Sequence, residues 1–145
     1  MLKPEALQDA QNYLSKQERT EASLYEELIA KGHEINDAKA VLEHAKAQSW
    51  VSDVRYCLRF CERKLCKGFG PIIITEELRD KGLPTSAIVQ AVADVEFSTW
   101  EHAAIMALEK KFGRDFKTAP RPQVISYLER RGFKDEYMLF LIKDD

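Results

Sequence analysis

Cys57, Cys61 and Cys66 have the most evident chemistry in the chain, because three thiols crowd into one short stretch. On a helix Cys57 and Cys61, four apart, share a face and could supply two metal ligands, whereas Cys66 falls off that face. Zinc generally needs four ligands, offered as close Cys/His pairs, and no histidine lies nearby in sequence. The thiols are therefore expected to pack as small buried hydrophobes. Being odd in number and close together, they also argue against a disulfide framework and for a reducing cytoplasm. His33, His44 and His102 are scattered and form no base–nucleophile set. Glu76 and Glu77 are adjacent, so on a helix they point about 100° apart and cannot work as a facing carboxylate pair. Gly68-Phe69-Gly70 lacks the third glycine and the preceding strand of a dinucleotide fingerprint, and no phosphate-binding Walker loop is present. No enzyme, metal, cofactor or small-molecule substrate is expected; the chain should work by binding other macromolecules.

The charged residues point to that binding. The formal net charge is only −2, but residues 1–50 hold six Lys/Arg against nine Asp/Glu. Residues 54–73 hold five cations against Glu62 alone, and residues 110–134 hold eight against Asp115 and Glu129. An acidic head followed by two basic patches suits a polyanion or an acidic partner, and solvated faces segregated by chance would look the same. Arg55, Arg59 and Arg63 lie four apart and make one basic stripe along a helix, with Leu58, Cys61 and Leu65 covering the other side. That helix should stop at Lys67-Gly68-Phe69-Gly70-Pro71, where Gly68 can take a left-handed cap conformation. Gly70 then caps a new helix with Pro71 at its first position. Free amides at such a helix start attract anions; alternatively, the two glycines only turn the chain. The Arg stripe and an exposed Phe69 have no evident packing duty.

A repeat organises the elements that must position these residues. Leu24, Leu28, Lys31 and Gly32 recur fifty residues on as Ile74, Leu78, Lys81 and Gly82, and fifty further as Val124, Leu128, Arg131 and Gly132. Each copy is one helix ending: two aliphatics at i and i+4 on a buried face, a cation near the negative end of the helix dipole, and a glycine to close it. The flanks supply two more helices per copy, 7–15 and 35–47 around the first, 54–65 and 86–95 around the second, 100–111 and 133–142 around the third. Thr20 is the expected cap of the first central helix. Apolar residues recur at three and four rather than alternating, so no strand is expected. The predicted fold is all-α, three tandem three-helix repeats over 1–50, 51–97 and 98–145 forming an elongated, curved array. Trp50, Trp100, Tyr56, Phe60 and Phe97 are expected to fill the junctions. Hydrophobic residues at 45% and charged residues at 32% are globular composition. With no run near the ~18 apolar residues of a membrane span, and no apolar stretch at the N-terminus, a cytoplasmic protein is expected.

The run from Arg63 through Lys67-Gly68-Phe69-Gly70-Pro71, Ile74, Glu77-Leu78 and Lys81-Gly82 closely resembles the signature of the RecX family, bacterial regulators of the RecA recombinase. The resemblance covers essentially the whole chain, since three helix triplets are also the family's architecture. It implies a protein that binds the groove of the RecA–single-stranded-DNA filament, limits its extension, and so depresses ATP hydrolysis, strand exchange and coprotease activity. By position, the resemblance assigns the contact to Arg55, Arg59, Arg63, Lys64 and Lys67 with Gly68, Phe69, Gly70 and Pro71. Arg114, Arg121, Arg130 and Arg131 would add to it from the last repeat. The chain departs from the family pattern at Ile72 and Ile73, where basic residues are common, and at Thr20 and Ser23, a weaker capping box than serine with glutamate. Those departures weaken autonomous DNA binding more than RecA binding. The alternative is a helical module that binds nucleic acid directly, without RecA.

Overall fold

The computed structural model describes residues 2–133, and among them every regular element is helical. Eight α-helices and one short 3-10 helix follow in order: α1 Pro4–Leu14, α2 Glu21–Ala30, α3 Ile35–Ala47, α4 Asp53–Leu65, α5 Pro71–Asp80, α6 Thr85–Asp94, α7 Phe97–Phe112, a 3-10 turn Phe116–Thr118, and α8 Arg121–Arg130. The expected helix over 133–142 lies outside the described residues, apart from Phe133. The chain divides into two compact units, one up to Tyr56 and one from Cys57 on, so the boundary falls inside α4.

In the first unit α1, α2 and α3 all pack on one another. Their core is Ala6, Ala10, Leu24, Leu28, Ala38, Val41 and Ala45, none with measurable exposure. Four of those seven are alanines, which let helix backbones approach closely, while Tyr13, Leu42 and Trp50 pack against the edge. Polar contacts fix the helix ends. Thr20 caps α2 by accepting from the Ser23 N–H at 3.1 Å, and Ser23 Oγ accepts in return from the Thr20 N–H at 3.2 Å. The box that looked weak in sequence therefore closes, because serine reaches the same amide that glutamate would. Buried Asp53 accepts from the Glu21 N–H at 2.9 Å, placing a carboxylate on the positive end of α2. His33 Nε2 lies 2.7 Å from Asp9 Oδ2, tying the end of α2 to α1.

In the second unit α5 packs on α6, and α7 on α8 and the 3-10 turn. Ile74, Leu78, Ile88, Trp100, Leu108 and Leu128 are buried within it. Cys57 and Cys61 are buried too, and burial pushes the Cys61 thiol up to about 12. Phe97, expected to fill a junction, keeps 46% of its surface exposed. It opens α7 directly after a two-residue link, and Trp100, three positions on, takes the inward place.

Five helices end alike. After α2, α3, α4, α5 and α8 the chain turns through a positive φ at Gly32, Ser49, Gly68, Gly82 and Gly132. The next amide bonds back to the carbonyl five residues earlier, as His33 to Leu28 at 3.2 Å, Leu83 to Leu78 at 3.2 Å and Phe133 to Leu128 at 3.0 Å. This is the Schellman closure, and it satisfies carbonyls the helix leaves orphaned.

Candidate functional site

The Lys67–Pro71 loop joins α4 to α5 within the second unit, and its surroundings show how much of it can meet a partner. Gly68, Gly70 and Pro71 are buried. Two of the amides expected to be free for an anion are taken: Gly70 N–H donates to Arg131 O at 2.7 Å and Ile72 N–H to Gly132 O at 3.0 Å. Orphan donors at the start of α5 thus meet orphan acceptors at the end of α8, two opposite dipole ends joined directly. The approach needs glycine on both sides. A Cβ on Gly70 would lie 2.5 Å from Gly132 O, and one on Gly132 would lie 2.7 Å from the Ile73 backbone nitrogen.

Arg131 completes this clasp. Its Nε donates to Gly68 O at 3.1 Å, its second terminal nitrogen to Lys67 O, and its guanidinium carbon lies 4.0 Å from the Phe69 ring centroid. Lys64 flanks the same ring at 4.7 Å and pairs with Glu77 at 3.1 Å. Phe69 is therefore half-buried between two cations rather than exposed, and it does have a packing duty. Arg131 precedes Gly132 where Lys31 and Lys81 precede Gly32 and Gly82, and only a planar fork reaches two carbonyls and stacks at once.

The remaining cations gather beside the clasp. A cleft of about 590 Å³ opens between the α4–α5 loop and the ends of α7 and α8. Its cationic lining is Lys67, Lys110, Arg114 and Arg131, against Glu109 as the one carboxylate, and its apolar lining includes Met106, Ala107 and Tyr127. Lys67, Lys110 and Arg114 are exposed, and among the described residues they make no ion pair. Met106 is 52% exposed. Tyr127 is enclosed by Phe112 edge-on at 5.7 Å and by Lys111, Arg130 and Arg131 at 5.8 to 6.0 Å. Cys66, expected to be buried like the other two thiols, is instead exposed, because it falls just past the end of α4 and off its buried face, and it stands on the cleft wall.

The cations singled out in the sequence thus fall into several groups. Lys67, Arg114 and Arg131 line one cleft. Arg130 borders a smaller hollow of about 350 Å³ with Lys111 and Ser126. Arg59 and Arg63 are exposed on α4, Arg63 5.8 Å from the Phe60 ring, and Arg121 is exposed at the first position of α8. Arg55 lies in the first unit, bonded to Glu18 at 2.7 Å and to the carbonyls of Ser49 and Trp50 at 2.7 and 3.1 Å. It holds the end of α3, a structural duty its helical spacing did not reveal. Lys110 and Met106 were not singled out. Their i, i+4 spacing on α7, pointing toward Arg114, was the available signal.

No group of three or more His, Cys, Asp or Glu among the described residues is arranged to hold a metal. Nor is any helix among them long and apolar enough to cross a membrane.

No protein-family model matches the chain. It is 31% identical over 129 residues to a protein named regulatory protein RecX from Xanthomonas campestris pv. campestris (strain B100), covering 88% of this chain and 79% of that one. It is 29% identical over 141 residues to a protein of the same name from Legionella pneumophila (strain Corby), covering 96% and 93%. Among solved structures it resembles RecX from Lactobacillus salivarius, with a TM-score of 0.79 over 95% of this chain and 92% of that chain at 17% identity. A further structure of regulatory protein RecX gives a TM-score of 0.70 at 22% identity, covering 94% and 70%. At those identities the structural likeness is one of fold.

Proposed function

The chain belongs to the RecX family of regulatory proteins, and from that premise we propose that it restrains RecA by binding the groove of the RecA–single-stranded-DNA filament. Binding there limits filament extension and so lowers ATP hydrolysis, strand exchange and coprotease activity. Filament binding is stoichiometric and involves no catalytic step, and the protein acts in the cytoplasm, where RecA works. The observation that carries this reading is the convergence of Lys67, Lys110 and Arg114 on one cleft, without ion-pair partners among the described residues. Cations left unpaired on a folded surface favour an anionic assembly through long-range steering. We assign the contact surface to Lys67 with Arg59, Arg63 and Lys64 of α4 and Arg114, Arg121 and Arg130 of the last repeat. Gly68, Phe69, Gly70, Pro71 and Arg131 shape that surface from beneath, while Arg55 serves the first unit by holding the end of α3. The partition into repeats over 1–50, 51–97 and 98–145 belongs to the same proposal, supported by the common ending of α2, α5 and α8.

The test is single-stranded-DNA-dependent ATP hydrolysis by the cognate RecA, with the protein titrated in from below stoichiometry to a molar excess. Inhibition that Lys67→Glu combined with Arg59→Glu and Arg63→Glu weakens, with the helical signal unchanged, supports the reading. Scrambling Lys67–Pro71 would be a poor probe, because three of its five residues are buried in the clasp. No inhibition at a molar excess, with DNA binding that falls steeply as salt rises, would instead favour a direct nucleic-acid module.

A further inference from the structure

We infer that the cleft lined by Lys67, Lys110, Arg114 and Met106 is a docking site for a short acidic peptide segment carrying one apolar side chain. This goes beyond the filament reading, since it assigns a chemistry to the docked segment whatever larger body carries it.

Three features select that occupant. The first is charge: four cations against Glu109 leave the cleft strongly positive, and three of the cations are exposed with no ion pair among the described residues. The second is the apolar lining. Met106 is half-exposed where a solvated helix face would carry a polar residue, and it offers a deformable aliphatic surface beside the cations. Carboxylates meeting Lys110 and Arg114 while a leucine-sized side chain covers Met106 would use both features together. The third is size, since about 590 Å³ lies within the range of pockets that enclose a compact ligand.

A nucleic-acid strand fits less well. Single-strand sites pair a continuous cationic track with aromatic faces on which bases stack. Here Glu109 interrupts the track, and Tyr127, the aromatic ring of the lining, is hemmed in by Phe112 and three cations. Met106 and Ala107 offer no stacking surface.

Cys66 provides a native reporter, because it is exposed on the cleft wall while Cys57 and Cys61 are buried. The probe is a fluorescein-labelled decapeptide of aspartates and glutamates around a central leucine, followed by anisotropy at physiological salt. We expect saturable binding that slows alkylation of Cys66 in the wild-type protein. Binding should weaken about tenfold or more when serine replaces the leucine, and at least about tenfold in Lys110→Glu/Arg114→Glu. An oligothymidylate of equal charge should protect Cys66 less. Peptide binding indifferent to both the leucine and the charge reversal would overturn the inference, as would an unchanged Cys66 alkylation rate at saturation. Better protection by oligothymidylate than by peptide would assign the cleft to nucleic acid instead. RecA inhibition persisting through any of those failures would leave the filament reading standing.

Discussion

Arg131 and Gly132 carry more of the second unit than their place just past the end of α8 suggests. Arg131→Lys keeps the charge but loses the fork and the stacking on Phe69, so it should cost about 1–2 kcal/mol of unfolding free energy. Urea denaturation that finds the variant as stable as wild type would show the clasp to be ornamental. Gly132 and Gly82 close equivalent helices at φ 91 and 87, yet only Gly132 faces backbone within 3 Å. Gly82→Ala should cost about 1–2 kcal/mol for the left-handed conformation alone. Gly132→Ala adds the clash with Ile73, roughly 1–3 kcal/mol more. Equal losses would mean that the clasp relaxes freely. Asp53 makes a pH-dependent case. Burial is the main cause holding its pKa above the usual 3.8, outweighing the Glu21 N–H that favours its charge. The folded state therefore holds that proton more tightly than the unfolded one. Relative to Asp53→Asn, which can still accept from Glu21, wild type should gain stability as pH falls through the folded-state pKa, with no further gain below 3.8. A difference between the two that stays constant from neutral pH to below that point would contradict the burial of this carboxylate.

At the scale of elements, α2, α5 and α8 each bury two aliphatic residues before a glycine ending. Leu78→Ala opens a cavity in the second unit and should cost about 2–5 kcal/mol. A thermal midpoint unchanged from wild type would misplace the core. Helix α4 tests the surface in the same way. Arg59 and Arg63 are exposed, so reversing both to glutamate should leave the far-ultraviolet circular dichroism unaltered and raise the concentration needed for RecA inhibition. Inhibition as strong as wild type would move the contact off α4.

Across the molecule, an acidic first segment and basic later ones give the −2 net charge little meaning as an average. A filament contact with apolar anchors such as Met106 should resist salt better than a purely phosphate contact, whose affinity falls with counterion release. Inhibition that disappears between about 50 and 200 mM salt in parallel with DNA binding would identify phosphate as the dominant partner.

The helical class, the three helix endings and the caps at Thr20 and Gly70 were legible in the chain itself, because helix periodicity and capping are set by residues within a few positions of one another. The buried cysteines were legible for the same reason: Cys57 and Cys61 share one face of one helix. Family membership was carried by the Lys67–Gly82 run. Sequence could not show that Arg55 and Arg131 bond to carbonyls, that Phe69 lies between two cations, or that the Gly70 and Ile72 amides are already taken. Those outcomes depend on partners up to 64 residues distant along the chain, and spacing along a single helix carries no information about what will stand opposite it. The cleft is of the same kind. Lys67 and Arg114 are ordinary surface cations in the sequence, and only the packing of the second unit sets them around one hollow.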